Sequence, residues 1–188
     1  VDLGTLSGTG VINLDNLTTG NAATIVYSGT IVVKDFTSST TNLLLSAMVT
    51  VNQTLTTIGG TLSIQSGGVL LLGSNSEIFI SGGLLSLNGG TLTLTNSYNV
   101  TYNSSSNIVA GLELSGNGLK NVTVDLSSAS RSVTLSTDLN LKGTLYLNNG
   151  YLALGVSNLT IGGEVATNGN GSIVSTVASD IVSNATNG

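Results

Sequence analysis

The side chains able to do acid–base or metal chemistry in this chain are few and scattered. Histidine and cysteine are both absent, so the usual zinc sites, thiol nucleophiles and Ser–His–Asp arrangements are excluded. No two acidic residues are adjacent or two apart, whereas polysaccharide-cleaving sites need clustered carboxylates. The acidic residues are Asp2, Asp15, Asp35, Glu77, Glu113, Asp125, Asp138, Glu164 and Asp180. The sequence therefore predicts no catalytic residues, no enzyme activity and no cofactor.

Asp15 and Asp35 form the one acidic pair whose spacing suggests a site. If the chain coils with a period of about 20 residues, the two carboxylates stack on neighbouring turns. Carboxylate oxygens are ligands that hard cations prefer, so the pair is a candidate metal site. The competing interpretation is that both acids are isolated solubilising residues at corners of the chain.

Aromatic residues are the candidates for a binding surface. Phe79 and Tyr146 fall at outward positions of short strands, where an exposed aromatic side chain invites a partner. Two tyrosines lie within residues 95–110, a polar run that breaks the regular spacing and predicts an extruded loop. The full set of candidate binding residues is Phe79, Tyr98, Tyr102, Tyr146 and Tyr151.

The elements that position these side chains are short strands, each with two apolar residues on one side. Side chains alternate between the two faces of a strand, so apolar residues at i and i+2 point the same way. Small turn residues, most often glycine pairs, separate one strand from the next and allow a tight corner. The predicted core ladder is Leu62, Ile64, Leu70, Leu72, Ile78, Ile80, Leu85, Leu87, Leu92, Leu94, Leu145, Leu147, Leu152, Leu154, Leu159 and Ile161.

The spacing of these pairs predicts an all-β fold, a parallel β-helix (β-solenoid) with about 19–23 residues per coil. Three strands make one coil, so Leu62 is expected beneath Leu85 and Leu70 beneath Leu92. Residues 1–188 are predicted to form a single domain of roughly eight to nine coils. The segments 1–30 and 163–188 are candidates for capping or inter-subunit segments.

Composition limits the classes of partner. The chain has 188 residues, a net charge of −5 and only 7% charged residues, whereas soluble domains average about 25%. Four basic residues are too few for nucleic-acid binding, and no apolar run is long enough to span a membrane. A surface of Asn, Ser, Thr and Gly suits a fibre or wall-like extracellular protein at the cell surface better than a cytosolic enzyme.

Threonine-rich strands raise one further possibility, a flat threonine array of the kind found on ice-binding solenoids. Such a face must repeat on every coil. The outward middle residues of the regular strands instead vary, and they are Ser63, Leu71, Phe79, Ser86, Thr93, Thr134, Asn140, Tyr146, Ala153 and Thr160. The sequence therefore favours ordinary solvent-facing strand residues with high β-propensity.

Residues 112–175 carry a sequence pattern that resembles a known kind of repeat. The pattern is a turn followed by Leu-x-Leu, Asn-Gly and x-Leu-x-Leu-Gly-x-Asn-x-Leu-x-Ile-Gly. It is similar to the β-solenoid repeats of secreted surface adhesins and filament proteins of Bacteroidota-type bacteria. The resemblance covers about residues 112–175 and implies an exported stalk or filament without catalytic residues. The matching residues are Leu145, Leu147, Asn149, Gly150, Leu152, Leu154, Gly155, Asn158, Leu159, Ile161 and Gly162.

The function expected from the sequence is structural. We expect a subunit or stalk segment of an extracellular filament or adhesin that assembles by end-to-end strand pairing with copies of itself or with flanking repeats. The alternative is an adhesion module that binds surface glycans through the polar run and exposed tyrosines. A polysaccharide-active enzyme is the third alternative, and the fold alone supports it.

Overall fold

The computed structural model describes residues 8–19, 24–38, 42–94, 96–176 and 178–183. They form a β-solenoid of about eight turns with about 21 residues per turn, which confirms the predicted fold class. The strands are β1 (Val11–Thr19), β2 (Thr24–Ser38), β3 (Leu43–Thr57), β4 (Thr61–Gln65), β5 (Val69–Leu72), β6 (Ser76–Ile80), β7 (Leu84–Asn88), β8 (Thr91–Thr93), β9 (Tyr98–Tyr102), β10 (Ile108–Val109), β11 (Leu119–Asp125), β12 (Ser132–Thr134), β13 (Leu139–Leu141), β14 (Leu145–Ala153), β15 (Leu159–Ile161), β16 (Val165–Val174) and β17 (Ile181–Ser183). A 3₁₀ turn spans Leu112–Leu114.

The strands make three faces, each built from parallel pairs between successive turns. Face A contains the last parts of β1, β2 and β3, then β6, β9, β11 and the first parts of β14 and β16. Face B contains the first part of β1, the middles of β2 and β3, then β5 and β8, and later β13, β15 and β17. Face C contains the first parts of β2 and β3, β4 and β7, and later β10, β12 and the last parts of β14 and β16.

The predicted register is confirmed. Leu62 pairs with Leu85 and Leu70 pairs with Leu92, as the repeat length requires. Fourteen of the sixteen predicted ladder residues are buried, all except Leu87 and Leu92. Burying an aliphatic side chain of this size contributes about 1.5–3 kcal/mol, so stacked ladders supply the main stabilisation. No single turn buries both sides of its own ladder, so each turn depends on its neighbours.

Leu87 departs from the prediction, since its side chain is 44% exposed, and Leu92 is only partly buried. The reason is a break in the stack above β7 and β8. Among the described residues β7 pairs only with β4, and β8 only with β5. The next turn carries the 3₁₀ turn and the two-residue strand β10 at these positions, so no regular strand covers Leu87. In the described part of the chain, only face A has paired strands across this junction, namely β6, β9 and β11.

The prediction of an extruded loop over residues 95–110 is wrong. Strand β9 lies within this segment and forms a regular rung of face A, paired with β6 on one side and β11 on the other. Its Tyr-x-Val-x-Tyr pattern places three side chains inward, namely Tyr98, Val100 and Tyr102, which are all fully buried. The Asn and Ser residues that suggested a loop occupy the outward positions of β9 and the corners beside it.

The segments proposed as caps contain ordinary rungs where the structure describes them. Strands β1 and β2 supply the first rungs, and β16 and β17 supply the last. Within residues 163–188, β16 ends at Val174 and β17 begins at Ile181, and the described residues between them form a turn rather than a strand. Residues 1–7 and 184–188 lie outside the described residues.

Candidate functional site

Face A carries a column of outward side chains, one from each of its eight strands. Parallel pairing aligns the middle outward residue of each strand with that of the next. At about 4.8 Å per rung, the column is roughly 34 Å long. From the first rung to the last it consists of Thr18, Thr37, Thr56, Phe79, Thr101, Thr123, Tyr146 and Ala166. Phe79, Tyr146 and Ala166 interrupt the threonines, so the array is not uniform.

Two of the predicted binding residues, Phe79 and Tyr146, lie in this same column. They lie three rungs apart, and Thr101 and Thr123 occupy the two rungs between them. Both aromatic side chains are partly exposed. The third partly exposed candidate, Tyr151, lies on face C instead, where it pairs with Ser132 and Ser172 and is not part of the same surface.

A second outward column runs beside the first on face A, and its residues are polar or acidic. On the three successive rungs that begin with that of Phe79, this second column presents Glu77, Asn99 and Asn121. The Thr101 hydroxyl donates to the Glu77 carboxylate at 2.6 Å. The Asn121 amide donates to the Asn99 side-chain oxygen at 3.0 Å, and the Asn121 oxygen accepts from the Thr144 backbone N–H at 2.8 Å. These bonds hold the amides in a fixed row along the solenoid axis.

Tyr98 and Tyr102 are not surface residues, so their prediction as exposed binding residues is wrong. Both point into the core at the junction where faces B and C are interrupted, and they meet Glu113 there. The Tyr102 hydroxyl donates to the Glu113 carboxylate at 2.6 Å, and the Gly111 N–H donates to the same oxygen at 2.7 Å. The Tyr98 hydroxyl donates to the Glu113 backbone carbonyl at 2.9 Å and accepts from the Gly116 N–H at 3.1 Å.

The buried position of Glu113 is a feature that sequence reasoning missed. Simple alternation along a strand would point Leu112 and Leu114 inward and Glu113 outward. The 3₁₀ turn reverses this arrangement, because Glu113 is only 3% exposed while both leucines are half-buried. A buried carboxylate needs hydrogen-bond donors, and the adjacent tyrosine rung supplies one. Tyrosines at inward positions of β9 were the available signal, since a buried tyrosine hydroxyl usually has a partner.

The environment of this cluster shifts the acidity of both tyrosines. Burial raises the pKa of Tyr98 to about 12, with a smaller opposing effect from its hydrogen bond to Gly116 and a further increase from the charge of Glu113. Burial also raises the pKa of Tyr102 well above 10.0, and the neighbouring Glu113 carboxylate and Tyr98 raise it further. Both phenols therefore remain protonated and serve as hydrogen-bond donors across the neutral range.

The predicted stacking of Asp15 on Asp35 is wrong. The first two rungs pair with an offset of 19 residues rather than 20, so Asp35 lies opposite Asn16. One residue of register is enough to move a side chain to the other side of a strand or corner. No group of three or more His, Cys, Asp or Glu side chains placed to hold a metal ion occurs in the described part of the chain.

A shallow cleft of about 330 Å³ lies beside the 3₁₀ turn, lined by Asn117, Asp138 and Lys142 among others. Its charged groups are engaged within the solenoid. The Asp138 carboxylate accepts from the Asn158 backbone N–H at 2.7 Å, and the Lys142 ammonium donates to the Asn117 carbonyl at 2.9 Å. These contacts join successive corners of faces B and A and have a structural role.

The last described rung is an open edge. Val165 and Ile181 continue inward columns of faces A and B, yet they are 45% and 49% exposed. Leu145 and Leu159, directly beneath them in the same columns, are fully buried. In the residues that the structure describes, β16 pairs only with β14 and β17 only with β15, so each strand has an unpaired side.

Comparisons of this chain with known protein families, curated proteins and solved structures find no match. No helix within the described residues is long and apolar enough to cross a membrane.

Proposed function

We propose that this chain is a structural segment of an extracellular filament or adhesin stalk, in which a second copy continues the solenoid by end-to-end strand pairing. The open last rung is the observation that carries the proposal. A strand edge with unpaired N–H and C=O groups is a template for another strand, and soluble proteins usually cover or disrupt such edges. Here the edge coincides with exposed side chains of the inward columns.

Pairing and burial favour the same joint. A further rung placed on β16 and β17 would bury Val165 and Ile181, as Leu145 and Leu159 are buried one turn below. It would also supply partners for the backbone groups along two faces. Each buried aliphatic residue contributes about 1.5–3 kcal/mol, and main-chain hydrogen bonds add specificity of register. The first described strand, β1, offers the matching surface at the opposite end.

The composition supports a location outside the cell. The surface is made mainly of Asn, Ser, Thr and Gly, and only 7% of residues are charged, so electrostatic repulsion between stacked copies is small. The resemblance of residues 112–175 to repeats of secreted surface proteins points the same way. Adhesin and filament stalks need a long, stiff element rather than an active site, and a stacked solenoid meets that requirement.

Electron microscopy of the purified chain over a range of concentrations tests this proposal. We expect unbranched fibres, with a length that grows with protein concentration. The variant Ile181→Lys puts a charge on the exposed inward column and should shorten or abolish the fibres. Val156→Lys is the matched control, because Val156 is 80% exposed on an outer corner one turn before the last rung and is not part of an inward column. Discrete short rods at every concentration would overturn the proposal, as would equal loss of fibres in both variants.

A further inference from the structure

We propose that face A binds a neutral polysaccharide, laid along the solenoid axis across the strip from Phe79 to Tyr146. This site is separate from the open edge proposed as the joint between copies. The strip consists of four rungs of the outward column and the polar column beside it. It is defined by Phe79, Thr101, Thr123, Tyr146, Asn99 and Asn121.

The chemistry of the strip matches that of sugar rings. A sugar ring has an apolar face of C–H groups and an edge of hydroxyl groups. Phe79 and Tyr146 supply flat apolar surfaces, and small-molecule sites generally combine such surfaces with a few fixed polar groups. The Thr123 hydroxyl and the Asn99 and Asn121 amides supply donors and acceptors between the rings. The amides are already held in place by the hydrogen bond of 3.0 Å that joins them.

The dimensions of the strip favour a thin linear polymer over a protein. Phe79 and Tyr146 are three strand spacings apart, which is about 14 Å along the axis. The two outward columns lie about 7 Å apart across the face, because they are separated by two residues of extended chain. This area is on the order of 100 Å², far below the roughly 800 Å² per partner of a stable protein interface. A chain of sugar rings is narrow enough to lie on it.

The charges of the strip favour a neutral ligand. The charged residues on the four strands of the strip are Glu77 and Asp125, which are acidic, and Lys120, which precedes Asn121 on the same strand. Together these residues carry one net negative charge, so this surface does not attract an acidic polymer such as alginate. An uncharged polymer is not repelled by this charge and can contact both the aromatic rings and the amides. Repeated rungs along the axis also suit a ligand that is itself periodic.

Native affinity electrophoresis tests the proposal with soluble polysaccharides cast in the gel. The neutral probes are hydroxyethylcellulose, barley β-glucan and glucomannan, and the acidic probes are alginate and polygalacturonate. We expect at least one neutral probe to retard the chain, and neither acidic probe to do so. Phe79→Ala and Tyr146→Ala should each weaken retardation at least tenfold. Tyr151→Ala should leave it unchanged, since Tyr151 is a partly exposed tyrosine on another face.

A further variant tests binding without removing either aromatic ring, because the alanine variants could lose binding by misfolding. Thr123→Asp keeps both rings and places a carboxylate between them, and it should also abolish retardation while circular dichroism and the melting temperature stay unchanged. The proposal is wrong if no neutral probe retards the chain, if only acidic probes do, or if Phe79→Ala binds as well as the parent. It is also wrong if Phe79→Ala changes the oligomeric state by light scattering without changing retardation, because face A would then be a protein interface. Fibre formation is scored separately, so failure of this proposal leaves the joint at the open edge intact.

Discussion

The substitution Tyr102→Phe isolates the contribution of the buried tyrosine–glutamate cluster. It removes one hydroxyl that donates to the Glu113 carboxylate at 2.6 Å, in a place where both side chains are buried. A hydrogen bond to a charged group contributes about 1.5–3 kcal/mol, and the loss of one oxygen atom leaves little cavity. The carboxylate would keep its bond of 2.7 Å from the Gly111 N–H. The free energy of unfolding should therefore fall by about 1.5–3 kcal/mol, and the melting temperature by roughly 3–12 °C.

The measurement must read the junction itself, because stacked repeats do not always unfold in one step. Urea unfolding gives the total change, and amide hydrogen exchange reports where protection is lost. We expect faster exchange in β9 and β11, whereas β2 near the first rung stays protected. Tyr146→Phe is the matched control, since it removes a phenol from a partly exposed position on face A. A change below about 0.5 kcal/mol, or an equal change in the control, would refute the reasoning.

Three further perturbations test buried groups and close backbone contacts. The first is alkaline pH, which should destabilise the fold. The pKa of Tyr98 in the folded chain is about 12 against an ordinary value of 10.0. The stability that Tyr98 contributes is therefore present below pH 10 and is lost between pH 10 and 12. That loss is roughly 3 kcal/mol, and ultraviolet absorbance should show Tyr98 and Tyr102 ionising only as the chain unfolds. Thr57→Val should stabilise by about 1 kcal/mol in urea unfolding, because the buried Thr57 hydroxyl has no hydrogen-bond partner. Gly118→Ala should lower the free energy of unfolding by about 3 kcal/mol or more in the same assay, because the added methyl group would lie 1.8 Å from the Asn96 carbonyl oxygen.

Each of these predictions has a comparison within the chain. Thr56→Val changes the neighbouring threonine on the outward column and should alter stability by less than about 0.5 kcal/mol. An effect equal to that of Thr57→Val would contradict the assignment of an unsatisfied buried hydroxyl. Gly162→Ala would place its methyl 3.2 Å from the nearest atom, so it should cost much less than Gly118→Ala. Ionisation of both tyrosines near pH 10 in the folded chain would contradict the buried cluster.

The fold could be predicted because its signal is local and repeated. The i, i+2 apolar pairs and the glycine corners define each rung, and their spacing aligned Leu62 with Leu85 and Leu70 with Leu92 correctly. The same rule failed at Leu87, because burial there depends on whether the next turn provides a strand. That property belongs to residues 108–114, more than 20 positions later, and their composition does not distinguish a strand from a 3₁₀ turn.

The candidate surface was harder to predict than the core. Outward residues taken in sequence order alternate among three faces, which concealed the column in which Phe79 and Tyr146 lie with five threonines. Selecting every third strand would have revealed it. Tyr98 and Tyr102 were misassigned because a polar run usually means a loop, whereas here the polar residues occupy the outward positions of a buried strand. The offset of 19 residues in the first rungs, which separates Asp15 from Asp35, lies within the predicted range and is not fixed by spacing alone.

Disulfide trapping between copies tests the proposed end-to-end joint most directly. The chain has no cysteine, so Thr18→Cys and Ala166→Cys would introduce the only two thiols, on the first and last rungs of the same outward column. In a stacked filament, the thiol on the first rung of one copy would lie about one rung, roughly 4.8 Å, from the thiol on the last rung of the next copy, which is within disulfide range. Mild oxidation should then give a ladder of covalent multimers that reducing agent collapses. Moving the first thiol to an inner rung with Thr101→Cys should abolish the ladder. Monomers alone for the chain with both Thr18→Cys and Ala166→Cys, at concentrations up to the solubility limit, would contradict the account.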